Sequence, residues 1–159
     1  MKFRKALMIS LSALAFSAAA VTPAAAAPTD GTQVTCGRSG VSWPGFGLYY
    51  NSNVAGSKRC IFGDVHNYDA NPTVCSSQGC ARYSFELDGK NGQGTWLKNN
   101  AASAYNYSGY VVRVYYNSGW GGTWDSFPAY GYQGSAVWYG NLNGTYNNNA
   151  SQDMFYESA

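Results

Sequence analysis

The chain has 159 residues, with 10 lysines and arginines against 8 aspartates and glutamates and a formal charge of +2. Aromatic residues make up 16% and charged residues 11%. That is too apolar for a disordered polar tail, and no helical apolar period is present, so the composition points to an all-β protein with many turns.

Three of the bases, Lys2, Arg4 and Lys5, stand ahead of a short apolar run from Ala6 to Ala20. The alanines Ala24 to Ala27 then offer an A-x-A cleavage site. Residues 1–26 read as a cleaved signal peptide of bacterial type, its apolar run too short and too rich in small residues for a membrane span, and the expected location is secreted, extracellular. Without the leader, seven bases face eight acids, a formal −1. No electrostatic footprint for nucleic acid or an anionic membrane remains. The rest has the length of one domain.

Residues 27–41 are polar and rich in Gly, Thr and Ser, and read as an extended lead-in to a domain spanning 42–159. Ser42 to Asn51 is a first strand, in which Phe46 and Leu48 alternate with Gly47 and Tyr49. Asn51 to Gly56 is a turn and Ser57 to Phe62 a second strand. Gly63 to Cys80 reads as an irregular loop, followed by a strand from Ala81 to Leu87 that alternates Tyr83, Phe85 and Leu87 with polar residues. Asp88 to Gly94 is turn-rich. Val112 and Val114 mark a strand that Thr123 to Phe127 partners as a hairpin. Pro128 to Asn143 is loop-rich, with Val137, Trp138 and Tyr139 as candidates for burial. Asn143-Gly144 is a turn pair, and Ser151 to Phe155 is the last strand.

Cys36, Cys60, Cys75 and Cys80 in an exported chain imply two disulfides. Three pairings are open. Cys36–Cys60 with Cys75–Cys80 is favoured, the second because a C-x4-C loop closes easily. The spacing lacks the paired C-x2-C of a zinc site. All four cysteines lie in the first half.

Two signals occur twice. Tyr49 to Gly56 (YYNSNVAG) and Tyr115 to Gly122 (YYNSGWGG) share one frame at a shift of 66 residues. Leu97 to Ser103 (LKNNAAS) and Thr145 to Ser151 (TYNNNAS) share another at a shift of 48. The chain therefore reads as one unit used twice, about 42–106 and 107–159, with 18 extra residues in the first. The extra chain is expected in the cysteine loop and the strand after it.

The triplets Tyr49, Val54, Gly56 and Tyr115, Trp120, Gly122 resemble the folded-hairpin signature of the βγ-crystallin Greek key. The resemblance implies a β-sandwich of two Greek keys, here disulfide-stapled. In it an aromatic packs over each hairpin and a glycine permits a positive φ. Val54 stands where an aromatic is usual, which implies a looser first hairpin. Asn99-Asn100-Ala101-Ala102-Ser103 and Asn147-Asn148-Asn149-Ala150-Ser151 resemble the second motif of that family, which builds calcium sites in microbial members. The implied ligands are Asn99, Ala101, Ser103, Asn147, Asn149 and Ser151, with carbonyls lent by Tyr50 and Tyr116. Oxygen ligands suit calcium, but uncharged asparagines place any affinity in the weak extracellular range, about 10⁻⁴–10⁻³ M. The competing expectation is that these asparagines cap turns.

The pattern also resembles an actinobacterial secreted metallopeptidase-inhibitor family, whose members present a C-x4-C loop to a thermolysin-like enzyme. Cys75, Ser76, Ser77, Gln78, Gly79 and Cys80 have that spacing, and the resemblance implies that they form the inhibitory loop. Ser76 departs from the bulky apolar residue such a pocket favours.

Catalysis finds no support in the sequence. Glu86 and Asp88 flank a solvated turn, His66 has no evident nucleophile partner, and neither HExxH nor a phosphate loop occurs. The expectation is a secreted, monomeric binding protein that inhibits a secreted protease. The alternatives are a calcium-binding structural module and a toxin-like or cell-surface binder using surplus tyrosines such as Tyr105, Tyr107, Tyr130 and Tyr139.

Overall fold

The structure is a computed structural model and describes residues 32–34, 45–76, 79–130 and 138–156, with backbone alone for 32–34, 71–76 and 79–80. The strands are β1 (Thr32–Val34), β2 (Phe46–Asn51), β3 (Ala55–Phe62), β4 (Asn71–Ser76), β5 (Gly79–Ala81), β6 (Ser103–Asn106), β7 (Val111–Asn117), β8 (Gly121–Phe127), β9 (Tyr139–Asn141) and β10 (Ser151–Phe155). No helix occurs among the described residues. One sheet has the order β1-β3-β2-β6-β9 and another β10-β7-β8, while β4 and β5 form a separate two-stranded sheet. All pairings are antiparallel.

The two units are joined by exchange. Residues 64–68 follow the first hairpin but lie along β10 of the second unit. The Val65 N–H donates to the Gln152 carbonyl at 2.8 Å, Gln152 donates back at 2.9 Å, and the Tyr68 N–H reaches the Ala150 carbonyl at 3.0 Å. In return β9, from the second unit, pairs with β6 of the first. The Leu142 N–H donates to the Ala102 carbonyl at 3.0 Å, the counterpart of the Tyr68 bond. Each unit is thus a Greek key whose third segment completes the other unit's sheet.

Between the sheets lies one apolar core. Phe46, Leu48, Ile61, Val65, Leu97, Val112, Val114, Phe127 and Leu142 are among its residues. Phe46 and Phe127, one from each sheet, meet at 5.6 Å between ring centroids. Each such side chain contributes about 1.5–3 kcal/mol on burial. Buried Gln152 has a partner at each polar atom: its side chain accepts from the Tyr68 hydroxyl at 2.9 Å and donates to the Gly63 carbonyl at 2.8 Å.

Two expectations are corrected. Residues 82–87 are not a strand, although Tyr83 and Phe85 are buried as alternation predicts. Their N–H groups go to different partners, the Tyr68 and Thr95 carbonyls, so no continuous ladder forms, and Leu87 is 85% exposed. The segment is an irregular excursion that plugs two aromatic rings into the core. The loop expected from Gly63 to Cys80 in fact contains the exchanged segment and β4.

Both hairpin tips have the same conformation. Asn53, Val54 and Gly56 have φ of 58°, 54° and 76°; Gly119, Trp120 and Gly122 have 74°, 59° and 80°. Val54 thus takes the same backbone conformation as Trp120. The ladder slips at the same place in each, between Tyr49 and Asn51 and between Tyr115 and Asn117. A Cβ on Gly122 would sit 2.9 Å from the Asn117 side-chain nitrogen, which would have to shift, and the φ of 80° itself favours glycine there.

A buried serine seals each tip. Ser103 Oγ donates to the Asn51 carbonyl at 2.6 Å and accepts from the Val54 N–H at 2.9 Å. Ser151 Oγ donates to the Asn117 carbonyl at 2.7 Å and accepts from the Trp120 N–H at 3.1 Å. We expect Ser103→Ala and Ser151→Ala each to cost about 1–3 kcal/mol, because two polar backbone groups lose their partner. Urea unfolding with an unchanged m-value checks this; a loss near zero for both contradicts it.

Candidate functional site: the cysteine hairpin and the Asn-rich loops

The first unit carries an excursion that the second lacks. Residues 71–81 leave the exchanged segment and return through β4 and β5. The register sets Cys75 opposite Cys80 and Ser76 opposite Gly79. Directly opposed residues of an antiparallel pair have Cα atoms about 4.5–5.5 Å apart, inside the range a disulfide spans. Ser77 and Gln78, the Cys36 residue, and the side chains of Cys75, Ser76 and Cys80 lie outside the described residues. Cys60 is described and is not a free thiol.

The Asn-rich loops clasp one another. The Asn99 N–H donates to the Asn149 carbonyl and the Asn147 N–H to the Ala101 carbonyl, each at 2.8 Å. Asn99 and Asn147 have φ of 60° and 52°, the left-handed conformation that asparagine tolerates. Buried Asn149 Oδ1 accepts from the Asn100 and Ala101 N–H groups at 3.1 and 2.9 Å, and its Nδ2 donates to the Leu97 carbonyl at 2.9 Å. Of the ligands expected for calcium, the carbonyls of Ala101 and Asn149 and the hydroxyls of Ser103 and Ser151 therefore already serve the fold. Tyr50 packs edge-on to Phe85 at 5.6 Å, and Tyr116 is 45% exposed. Among the described residues no cluster of three His, Cys, Asp or Glu side chains forms.

Sequence reasoning missed a cation beside these loops. The Lys98 ammonium contacts Asp69 Oδ2 at 2.9 Å, Asn67 Oδ1 at 3.1 Å and Ser118 Oγ at 3.2 Å. It joins the exchanged segment to the tip of the second hairpin. The symmetric position holds Tyr146, whose hydroxyl accepts from Ser52 Oγ at 3.4 Å. The signal was a lysine directly before the Asn pair. We expect Lys98→Met to lower stability by about 1 kcal/mol, an effect that shrinks at high salt. Calcium is expected to leave the melting temperature of the parent protein unchanged. Melting curves with calcium and with chelator check the second point; a rise with calcium contradicts it.

The signature aromatics divide between faces. Trp120 packs edge-on to His66 at 5.4 Å and donates its indole N–H to the Gln152 carbonyl at 2.9 Å. Tyr115 lies against Trp124, and its hydroxyl donates to Asp153 Oδ2 at 2.9 Å. The Arg113 guanidinium sits opposite Asp153, 4.5 Å from the Phe155 ring and 5.5 Å from that of Trp124. Arg113 Nε and Asp153 Oδ1 are buried without a hydrogen-bond partner.

Burial raises the Asp153 carboxyl above its ordinary value, outweighing the Tyr115 hydrogen bond and the Arg113 charge. The native state therefore keeps this proton to a higher pH than the unfolded chain does. The resulting stability is complete below the unfolded value and is lost as pH rises through the raised one. Asp153→Asn should remove that loss. Melting temperatures across the acidic range check it; an unchanged pH slope contradicts it.

No protein-family model matches the chain, and no curated protein does. Among solved structures it is similar to one from work on the evolution of the eye lens beta-gamma-crystallin domain fold. The TM-score is 0.48 and the identity 10%, over 81% of this chain and 100% of that one. The strand order and exchange described above are consistent with the βγ-crystallin-like β-sandwich implied by the repeated motifs.

Proposed function

We propose that the chain is a secreted, monomeric βγ-crystallin-like binding protein, without enzymatic activity of its own, that inhibits a peptidase of the thermolysin-like metallopeptidase class. The observation that carries this reading is the register of β4 and β5, which opposes Cys75 and Cys80 on a hairpin that forms its own small sheet. A disulfide there closes the neck of the loop 76–79. Such a loop has lost its conformational entropy before association, so less is lost on binding. If a bond within it is cut, the bridge and the ladder hold the ends together for resealing. The second proposed bridge, Cys36–Cys60, is supported by β1, which sets Val34, two residues before Cys36 in the chain, opposite Cys60.

Titration against a thermolysin-like enzyme tests the reading. Residual activity is expected to fall to near zero around one equivalent, and the double change Cys75→Ser, Cys80→Ser is expected to turn the loop into a cleaved substrate. Full peptidase activity at large molar excess would contradict it.

A further inference from the structure

The second unit has no cysteine, yet the structure brings two of its phenols together. Tyr110 immediately precedes β7 and Tyr156 follows β10, one step beyond the paired residues Val111 and Phe155. Their ring centroids are 4.2 Å apart with planes tilted by 40°, and their hydroxyl oxygens are hydrogen-bonded at 2.8 Å. The hydroxyl ends are thus nearer than the ring centres. The rings converge toward the edges that carry the ortho carbons. Tyr156 is 73% exposed. Tyr110 lines a shallow cleft of about 200 Å³ with Phe62, Gly63, Asp64 and Met154, so its ring also meets solvent. Tyr107 and Tyr130 also share a hydroxyl hydrogen bond, but with nearly parallel rings. Tyr105 and Tyr107, and Tyr107 and Tyr130, stack with planes 7° and 20° apart, and all three rings stand edge-on to Trp138.

We propose that Tyr110 and Tyr156 are a site of oxidative coupling to dityrosine, with hydrogen peroxide as oxidant and a haem peroxidase as catalyst. One electron and one proton leave each phenol, and peroxide is reduced to two waters. The two phenoxyl radicals form a carbon–carbon bond between ortho positions. The ortho hydrogens then return to the oxygens by enolisation, so both phenols are restored and the protein has lost two hydrogen atoms. The bond closes the chain from 110 to 156, across β7, β8, β9 and β10. It constrains the unfolded second unit as a disulfide would.

The test treats the purified full chain with peroxide and a haem peroxidase. The expected product is monomeric, fluoresces as dityrosine, is lighter by two hydrogens, and yields on digestion one peptide pair joining Tyr110 to Tyr156. Its melting temperature is raised by several degrees. Tyr156→Phe, at an exposed position, is expected to fold normally and lose the product, while Tyr107→Phe keeps it. The proposal is overturned if coupling occurs only between chains, if the joined peptides carry other tyrosines, or if the Tyr156→Phe protein still forms the same product.

Discussion

Two buried hydroxyls hold the protein's hairpins in a conformation their own residues disfavour. Two consecutive non-glycine residues of the first tip, Asn53 and Val54, adopt positive φ, and so does Trp120 in the second. That conformation costs roughly 1–2 kcal/mol per residue, most for a β-branched side chain such as Val54. Each serine hydroxyl makes two hydrogen bonds to its tip, contributing about 1 kcal/mol apiece. The seal is therefore of the same size as the strain. Because Ser103 and Ser151 reside on β6 and β10, each tip folds back only when the fourth strand of its own unit is in place.

The exchange of third segments extends this dependence across the whole domain. β10 lacks its outer neighbour until residues 64–68 arrive from the first unit, and β6, already paired with β2, lacks its other neighbour until β9 arrives from the second. The Asn-rich loops meet at the junction, where Asn149 alone joins three backbone groups of the opposite unit. Lys98 adds a charged clip at one of the two symmetric corners. With polar groups committed in this way, the loops act first as the hinge of the fold. The cysteine hairpin, in a sheet of its own, is the part left free of that duty.

Much of this was readable in the sequence because its signals are local. A tip with positive φ needs glycine at Gly56 and Gly122, and its seal needs a serine a fixed distance after an Asn-rich turn, so both leave repeating letters. β2 and β7 follow from apolar alternation, and β3 and β8 from the turns that fold them back as hairpin partners. Less legible were the exchanged segments. Residues 64–68, with a single bridge at Val65, and β9 are short, and what orders them is the partner they meet. Tyr83 and Phe85 alternate as strand residues do, but two rings can enter a core from an irregular backbone just as well. Tyr139, expected among the candidates for burial, is 49% exposed, since β9 is an edge strand. The role of Lys98 depends on Asn67, Asp69 and Ser118 converging from distant parts of the chain.

The most direct test of the sealed, exchanged architecture is native-state hydrogen exchange at Val54 and Trp120. Both amides sit at turn tips, where a lone hairpin would exchange rapidly. Held by Ser103 and Ser151, they should exchange as slowly as the amides within β2 and β7, through unfolding of the whole domain. If instead they exchange as fast as Gly89 and Lys90 in the exposed turn, the hairpins are not held by the other strands, and the account fails.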